Sequence, residues 1–148
     1  MVIPCVTRGL PACGKTTFAL AWVNEDPEHR VRAARDDLRN MFHGRRLDTE
    51  TQAAQADIAL HAQVPALLRA GVSVVVDGTA LADSEVDGWR LLADDCGAEL
   101  EVHDLRGVPV DVCVARDAAR GAAGGRLVGG DIIRRMAAAS GRVINPDG

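Results

Sequence analysis

The chain has 148 residues, of which 47% are apolar and 26% charged, the profile of a single domain long enough to bury a core unaided. Four cysteines, Cys5, Cys13, Cys96 and Cys113, form no CxxC pair and four histidines stand singly, so neither a disulfide framework nor a zinc site is expected. No apolar run approaches the about 18 residues of a membrane span, and the N-terminus lacks a signal-peptide layout. Reduced thiols and a cytoplasmic location, away from membranes, are expected.

The net charge of -4 speaks against a protein that coats DNA by counterion release alone. The charge is uneven, however: residues 106–148 carry seven Arg against four Asp, and the first 105 residues are correspondingly acidic. A local basic surface can exist on an acidic protein. Lys15 is the one lysine among 17 basic residues.

In chain order, Val2–Thr7 reads as a strand, although Pro4 would cost it a ladder bond unless the proline lies at its start. A glycine-bearing turn leads to a helix from about Lys15 to Asn24, stopped by Glu25-Asp26-Pro27. Val31–Ala34 is a weaker strand, followed by a helix opening at Asp36-Asp37. Thr49 to Arg69 has helical propensity, with Pro65 predicting a kink or break. Val72–Val76 is nearly all β-branched, which suits a parallel strand covered on both faces. A helix over Asp83–Cys96, a strand over Ala98–Leu105, and helices over Val110–Arg120 and Asp131–Ser140 complete the pattern. Strands alternating with helices predict an α/β fold, a parallel sheet flanked by helices, as one domain over residues 1–148.

The turn after the first strand carries the strongest chemical signal. Gly9-Leu10-Pro11-Ala12-Cys13-Gly14-Lys15-Thr16 matches G-x-x-x-x-G-K-[ST] between a strand and a helix. Glycines let successive N–H groups point at phosphate oxygens, and the helix start adds its positive dipole end. Lys15 bridges terminal phosphates as a compact charge where a planar guanidinium would not fit, and Thr16 offers a hydroxyl to Mg²⁺. Gly9 through Thr17 are therefore expected to hold ATP or another nucleoside triphosphate. Cys13 is simpler as filler than as a redox switch.

Acceptor chemistry should gather beyond the carboxyl ends of the strands. Asp36 is either a helix N-cap or a general base, and the spacing leaves both open. Asp37 favours the first-turn dipole. Asp77 reads as a Walker-B type carboxylate or as the start of a strand-end turn, Asp77-Gly78-Thr79. Arg116 and Arg120, at i and i+4, share one helix face, either as a solvated basic face or as two cations converging on one anion. Beyond them Gly121–Gly125 and Gly129-Gly130 flank Arg126 in a segment suited to a lid. Phe18 and Trp22 are expected in the core. Phe42, near Arg45-Arg46, is expected there too, with base stacking as its other use. Arg134 and Arg135 are expected at the surface or on the acceptor strand.

Taken together, Gly9–Thr17, Arg35-Asp36-Asp37-Leu38-Arg39, Val-Val-Asp77-Gly78-Thr79 and Val114-Ala115-Arg116-Asp117-Ala118-Ala119-Arg120-Gly121 resemble the kinase domain of the bacteriophage-type polynucleotide 5′-hydroxyl kinases, over essentially the whole chain. The resemblance implies a P-loop phosphotransferase with a helical lid that moves the γ-phosphate of ATP, with Mg²⁺, onto the 5′-OH of DNA or RNA, in end healing. It implies Asp36 as base, Arg39 as holder of the adjacent 3′-phosphate, Arg116 and Arg120 as lid arginines on the donor phosphates, and Asp77 as a supporting acid of the acceptor pocket, with Thr79 beside it. The sequence departs from the family in Asp77-Gly78-Thr79, where D-T-N is common, and in a longer, glycine-richer lid. Aromatics are only 3%, so long runs of base stacking are not expected. No D-x-D-G-T phosphatase motif occurs, so repair of 3′-phosphates is expected to need another protein or domain. Two rivals use the same cradle: a P-loop kinase of a nucleoside, sugar or antibiotic, and a nucleotide-gated binding module without transfer activity.

Overall fold

A computed structural model describes residues 1–44 and 49–140. Four strands, β1 (Pro4–Arg8), β2 (Arg30–Ala33), β3 (Ser73–Val76) and β4 (Glu101–Asp104), form one sheet in the order β2-β3-β1-β4. All three pairings are parallel, with Val6 opposite Val76 and Ala33 also opposite Val76. The expected α/β fold, a parallel sheet flanked by helices, is the fold observed.

Side-chain alternation along the strands splits the core into two layers. Cys5 and Val75 pack with Ala19 and Trp22 of α1 (Lys15–Glu25). Val6, Val74 and Val76 face the opposite layer, built from α2 (Arg35–His43), α3 (Glu50–Arg69) and α4 (Asp83–Asp95). Continuous Val-Val-Val on β3 follows from that position, since both its faces are covered and both its edges paired. A third cluster joins Leu10 and Cys13 of the glycine turn to Val110, Cys113, Ile133 and Ala137 of α5 (Val110–Ala122) and α6 (Gly130–Ala139).

Several expectations shift. Pro4 opens β1, where its missing N–H is tolerated, and the strand runs on to Arg8. Pro65 does not break α3, which continues to Arg69. Ala56, Leu60, Val64 and Leu68, at steps of four, are all buried against the sheet layer, so packing on both sides of the proline outweighs the one helical bond it cannot donate. Strand β4 is shorter than Ala98–Leu105 because it is an edge, paired only to β1, with Glu101, Val102 and Asp104 exposed. Trp22 is buried as expected, whereas Phe18 is half-buried and stacked on His103 with ring centroids 3.5 Å apart. Phe42 is not in the core; it is 46% exposed near the end of α2. Arg45 and Arg46, expected beside it, lie outside the described residues.

Candidate active site

Because every strand is parallel, the carboxyl ends of β1, β2 and β3 lie along one edge of the sheet. The strand order reverses between β1 and β3, the place where such sheets bind ligands. The edge is laced together by backbone bonds: Gly9 N–H donates to Thr79 O at 2.8 Å and Asp77 N–H to Ala33 O at 2.9 Å. A cavity of about 920 Å³ opens there, lined by Pro11, Ala12 and Gly14–Thr17, by Arg32 and Arg35–Asp37, by Arg39, by Asp77–Thr79, and by Arg116, Arg120 and Arg126.

The glycine turn has the geometry that the motif predicts. Ala12 and Gly14 have φ of 62° and 105°, the left-handed region, and Gly14 leads directly into α1. An ideal Cβ on Gly9 would meet Cys13 Sγ at 2.4 Å, so the backbone packs too closely there for a side chain. Cys13 is packing filler here, its buried sulfur lying in the cluster with Leu10, Val110, Cys113 and Ile133. Lys15 folds back over the turn, donating to Gly9 O at 2.9 Å and Leu10 O at 2.8 Å. Burial pulls its pKa below the usual lysine value; Cys13 and Asp77 oppose this, and Arg126 adds to it.

Thr16 Oγ1 donates to Asp77 Oδ2 at 2.8 Å, and Arg32 Nε donates to the same oxygen at 2.7 Å. Asp77 is the buried carboxylate at the end of a buried strand that a Walker-B reading requires, and it sits against the turn's hydroxyl. Arg32 also bonds Asp37. These two carboxylates outweigh burial and raise its pKa, keeping the guanidinium charged. Nothing in the sequence singled out Arg32, because it sits inside a short strand; its alternation with Ala33 toward the sheet edge was the available signal.

The residues present fit a nucleotide with a divalent cation. The turn supplies N–H groups in left-handed geometry, the lysine is adjacent, and a hydroxyl and a carboxylate already touch. Thr16 and Asp77 would hold the cation, directly or through its water.

At the start of α2, Asp36 is not an N-cap: Ala34 occupies that position, and Asp36 and Asp37 lie in the first turn. Asp36 faces the cavity between two arginines. Arg39 Nη1 is 3.9 Å from Oδ1, and Arg126 pairs with Oδ2. Arg116 and Arg120 both line the cavity but make different bonds. Arg116 Nη1 donates to Cys13 O at 3.4 Å, over the turn, while Arg120 donates to Arg126 O at 2.7 Å and to Asp117 at 2.9 Å. Asp117 is a residue that sequence reasoning missed. It is 1% exposed and also accepts from the amides of Val128 and Gly129, at 2.9 Å each. Burial alone would raise its pKa, but these amides and Arg120 outweigh it and lower the carboxyl below its ordinary value. An acid directly after Arg116 and three positions before Arg120 was the available signal. Arg134 pairs with Asp111 at the surface, as expected.

Among the lining residues, seven cations, Lys15 and Arg32, Arg35, Arg39, Arg116, Arg120 and Arg126, meet three carboxylates, Asp36, Asp37 and Asp77. An acidic protein thus carries a cationic cleft suited to polyanions.

A sequence profile described as AAA domain matches residues 5–142. No curated protein matches the chain. Among solved structures, the chain is similar to one in the Pnkp1/Rnl/Hen1 RNA repair complex, at 22% identity and a TM-score of 0.83, covering 96% of this chain and 45% of that one. It is similar to the APS kinase CysC of Mycobacterium tuberculosis in complex with AMPPNP and APS, at 20% identity and a TM-score of 0.62, covering 82% of this chain and 74% of that one. It is also similar to a gluconokinase from Sinorhizobium meliloti, at 20% identity and a TM-score of 0.60, covering 98% of this chain and 77% of that one. The fold is that of P-loop kinases. The chain spans less than half the length of the repair-complex chain it matches. No helix among the described residues is long and apolar enough to cross a membrane.

Proposed function

The chain belongs to the AAA domain family, and from that premise we propose that it is a polynucleotide 5′-hydroxyl kinase, transferring the γ-phosphate of ATP to the 5′-OH end of DNA or RNA. The observation that carries this reading is the charge on the acceptor side of the cleft. Beyond the phosphate cradle, Asp36 stands among Arg35, Arg39 and Arg126. A base set among guanidiniums suits an acceptor that brings its own phosphates, and a neutral acceptor has no use for them. The likeness to a chain of an RNA repair complex supports the same reading.

In this reading the 5′-oxygen attacks the γ-phosphorus in line, and the leaving group is ADP. Asp36 takes the hydroxyl proton. Lys15 and Arg116 hold the negative charge that spreads over the transferring group, and Arg120 joins them when released from Asp117. Mg²⁺, when bound, supplies charge neutralisation on the donor phosphates. Arg39 holds the acceptor's 3′-phosphate, Asp77 and Thr79 line the same cleft, and lid helices α5 and α6 keep out water, the competing acceptor. End healing in the cytoplasm is the role the reading suggests.

A second reading, a small-molecule kinase, is favoured by size: the chain covers most of the length of the APS kinase and of the gluconokinase it resembles. One assay separates the two. Label from γ-labelled ATP is offered to 5′-OH DNA, 5′-OH RNA, 5′-phosphorylated oligonucleotides, nucleosides, APS and gluconate. Transfer to 5′-OH oligonucleotides but not to 5′-phosphorylated ones is expected. Transfer to a free small molecule alone overturns the polynucleotide reading, and ATP binding without transfer to any hydroxyl overturns both.

A further inference from the structure

Arg32 meets Asp77 because of strand register. It stands opposite Val75 in the pairing of β2 with β3, and Val75 packs on α1 with Ala19 and Trp22. Residues in register share a face of the sheet, so Arg32 emerges on the α1 side, as does Asp77 two positions beyond Val75. Thr16, in the first turn of α1, completes the group. Asp77 Oδ2 therefore receives two donors at once, the Thr16 hydroxyl at 2.8 Å and Arg32 Nε at 2.7 Å. The ion pair is sheltered, with the Arg32 and Asp77 side chains 20% and 5% exposed, whereas Asp37, which bonds Arg32 Nη1, is 66% exposed.

A permanent cation thus stands against the carboxylate that the proposed reaction gives to a divalent one. Asp77 and Arg32 together carry no net charge, and the residues lining the cleft include seven cations against three carboxylates. Mg²⁺ sheds its water reluctantly and is held by one or two carboxylates together with substrate phosphates. A free divalent cation approaching Thr16 and Asp77 meets a guanidinium already in contact with the carboxylate, and like charges in a sheltered site repel strongly. A bound triphosphate reverses the sign of the site. We propose that Arg32 is a positioning residue that ties cation binding to nucleotide binding: by neutralising Asp77 it keeps a free divalent cation from the Thr16–Asp77 pair until the phosphates supply the missing negative charge. The proposal rests on the kinase reading above, since it needs the nucleotide cradle, but it does not depend on which acceptor is used. Arg32 acts through Asp77 and needs no contact with the reacting atoms.

The test uses Mn²⁺ as the probe, read by the loss of its free-ion paramagnetic resonance signal. Without nucleotide, Mn²⁺ is titrated into the wild-type protein, Arg32→Gln, Arg32→Lys, Asp77→Asn and the double variant Arg32→Gln/Asp77→Asn. The wild-type protein is expected to bind free Mn²⁺ no more than about threefold tighter than Asp77→Asn does. Arg32→Gln keeps a hydrogen-bonding side chain but loses the charge, and is expected to bind Mn²⁺ at least about tenfold tighter than the wild-type protein. Arg32→Lys keeps the charge and is expected to stay near wild type, and the double variant is expected to lose the gain. Free Mn²⁺ bound well by the wild-type protein through Asp77, an Arg32→Gln variant without gain, a gain as large in Arg32→Lys, or a gain that survives loss of Asp77 overturns the proposal. If Arg32→Gln shows no cooperative melt, the wild-type protein against Asp77→Asn and Arg32→Lys decides. With the protein saturated by a non-hydrolysable ATP analogue, Asp77→Asn is expected to weaken Mn²⁺ at least about tenfold; equal dependence on Asp77 with and without nucleotide overturns the proposal. A wild-type protein that binds no ATP overturns the kinase reading instead, and the nucleotide-free titrations then decide whether Arg32 shields Asp77.

Discussion

Thr16 and Asp77 are joined by a 2.8 Å hydrogen bond that ties the start of α1 to the end of β3. In the proposed reaction the pair would hold the cation, and Arg32 fixes the carboxylate from the other side at 2.7 Å. Asp77→Asn keeps the shape but halves the acceptor capacity and removes the charge. Phosphoryl transfer is expected to fall at least about tenfold, equivalent to about 1.4 kcal/mol, with the Mg²⁺ concentration for half-maximal rate rising. Thr16→Ser is expected to keep most of the activity. Label transfer across a Mg²⁺ series checks both, and an unchanged Mg²⁺ dependence in Asp77→Asn removes it from the cation site.

Gly9 and Cys13 make a second, purely steric pair. A methyl group at residue 9 would meet Cys13 Sγ at 2.4 Å and Leu105 Cβ at 3.3 Å. Gly9→Ala is expected to destabilise the protein by about 1–3 kcal/mol, the usual cost of overpacking, and to weaken ATP binding by moving the carbonyl that Lys15 grips. Removing the sulfur in Gly9→Ala/Cys13→Ala is expected to restore part of the stability. Thermal melts with and without ATP read both effects; additivity of the two substitutions would show that the clash is not what matters.

The features the sequence announced are those with a local rule behind them. Val74-Val75-Val76 declare a strand covered on both faces, and Gly9–Thr16 declare a phosphate turn, because period and motif act over a few residues. Pro65 misled because the local rule is overridden by Val64 and Leu68 packing on the sheet layer. Phe42 misled because composition cannot tell which face of a short helix is covered. Arg32 and Arg126 reach partners distant in the sequence, 45 positions for Arg32 to Asp77 and 90 for Arg126 to Asp36. No spacing rule reaches that far.

Asp117 fastens the loop between α5 and α6, and its ionisation is therefore linked to the order of that loop. Its folded carboxyl titrates below the ordinary 3.8. The stability it contributes is accordingly complete above that ordinary value and is lost as pH falls through the lower folded value. Asp117→Asn mimics the protonated state at every pH, setting an amide N–H₂ against the donors it should accept from. Hydrogen bonds to a charged group are worth about 1.5–3 kcal/mol, enough to raise local opening more than tenfold. Cleavage by thermolysin near Leu127 at neutral pH is expected to accelerate accordingly in the variant, with little change in global unfolding. In the wild-type protein, pepsin is expected to cut the same loop more readily as pH falls through that lower folded value. Equal cleavage of the two proteins would mean that Asp117 does not secure the loop.

Asp36 carries the chemistry in the proposed function, and its geometry separates that role from binding. It lines the cleft from α2 and pairs with Arg39 and Arg126, neither of them part of the phosphate turn. Asp36→Asn removes the proton acceptor while keeping volume and one oxygen, so label transfer is expected to fall by about 10²–10⁴, the worth of a positioned base. ATP affinity should stay within about twofold, because Lys15, Gly14 and Thr16 are untouched. Arg39→Ala is expected instead to weaken acceptors bearing a 3′-phosphate more than those without one, changing KM more than kcat. Single-turnover transfer together with nucleotide titration distinguishes the cases. A variant Asp36→Asn that keeps most of its rate hands the base role to another group, and one that loses ATP binding in proportion to rate makes Asp36 a binding residue.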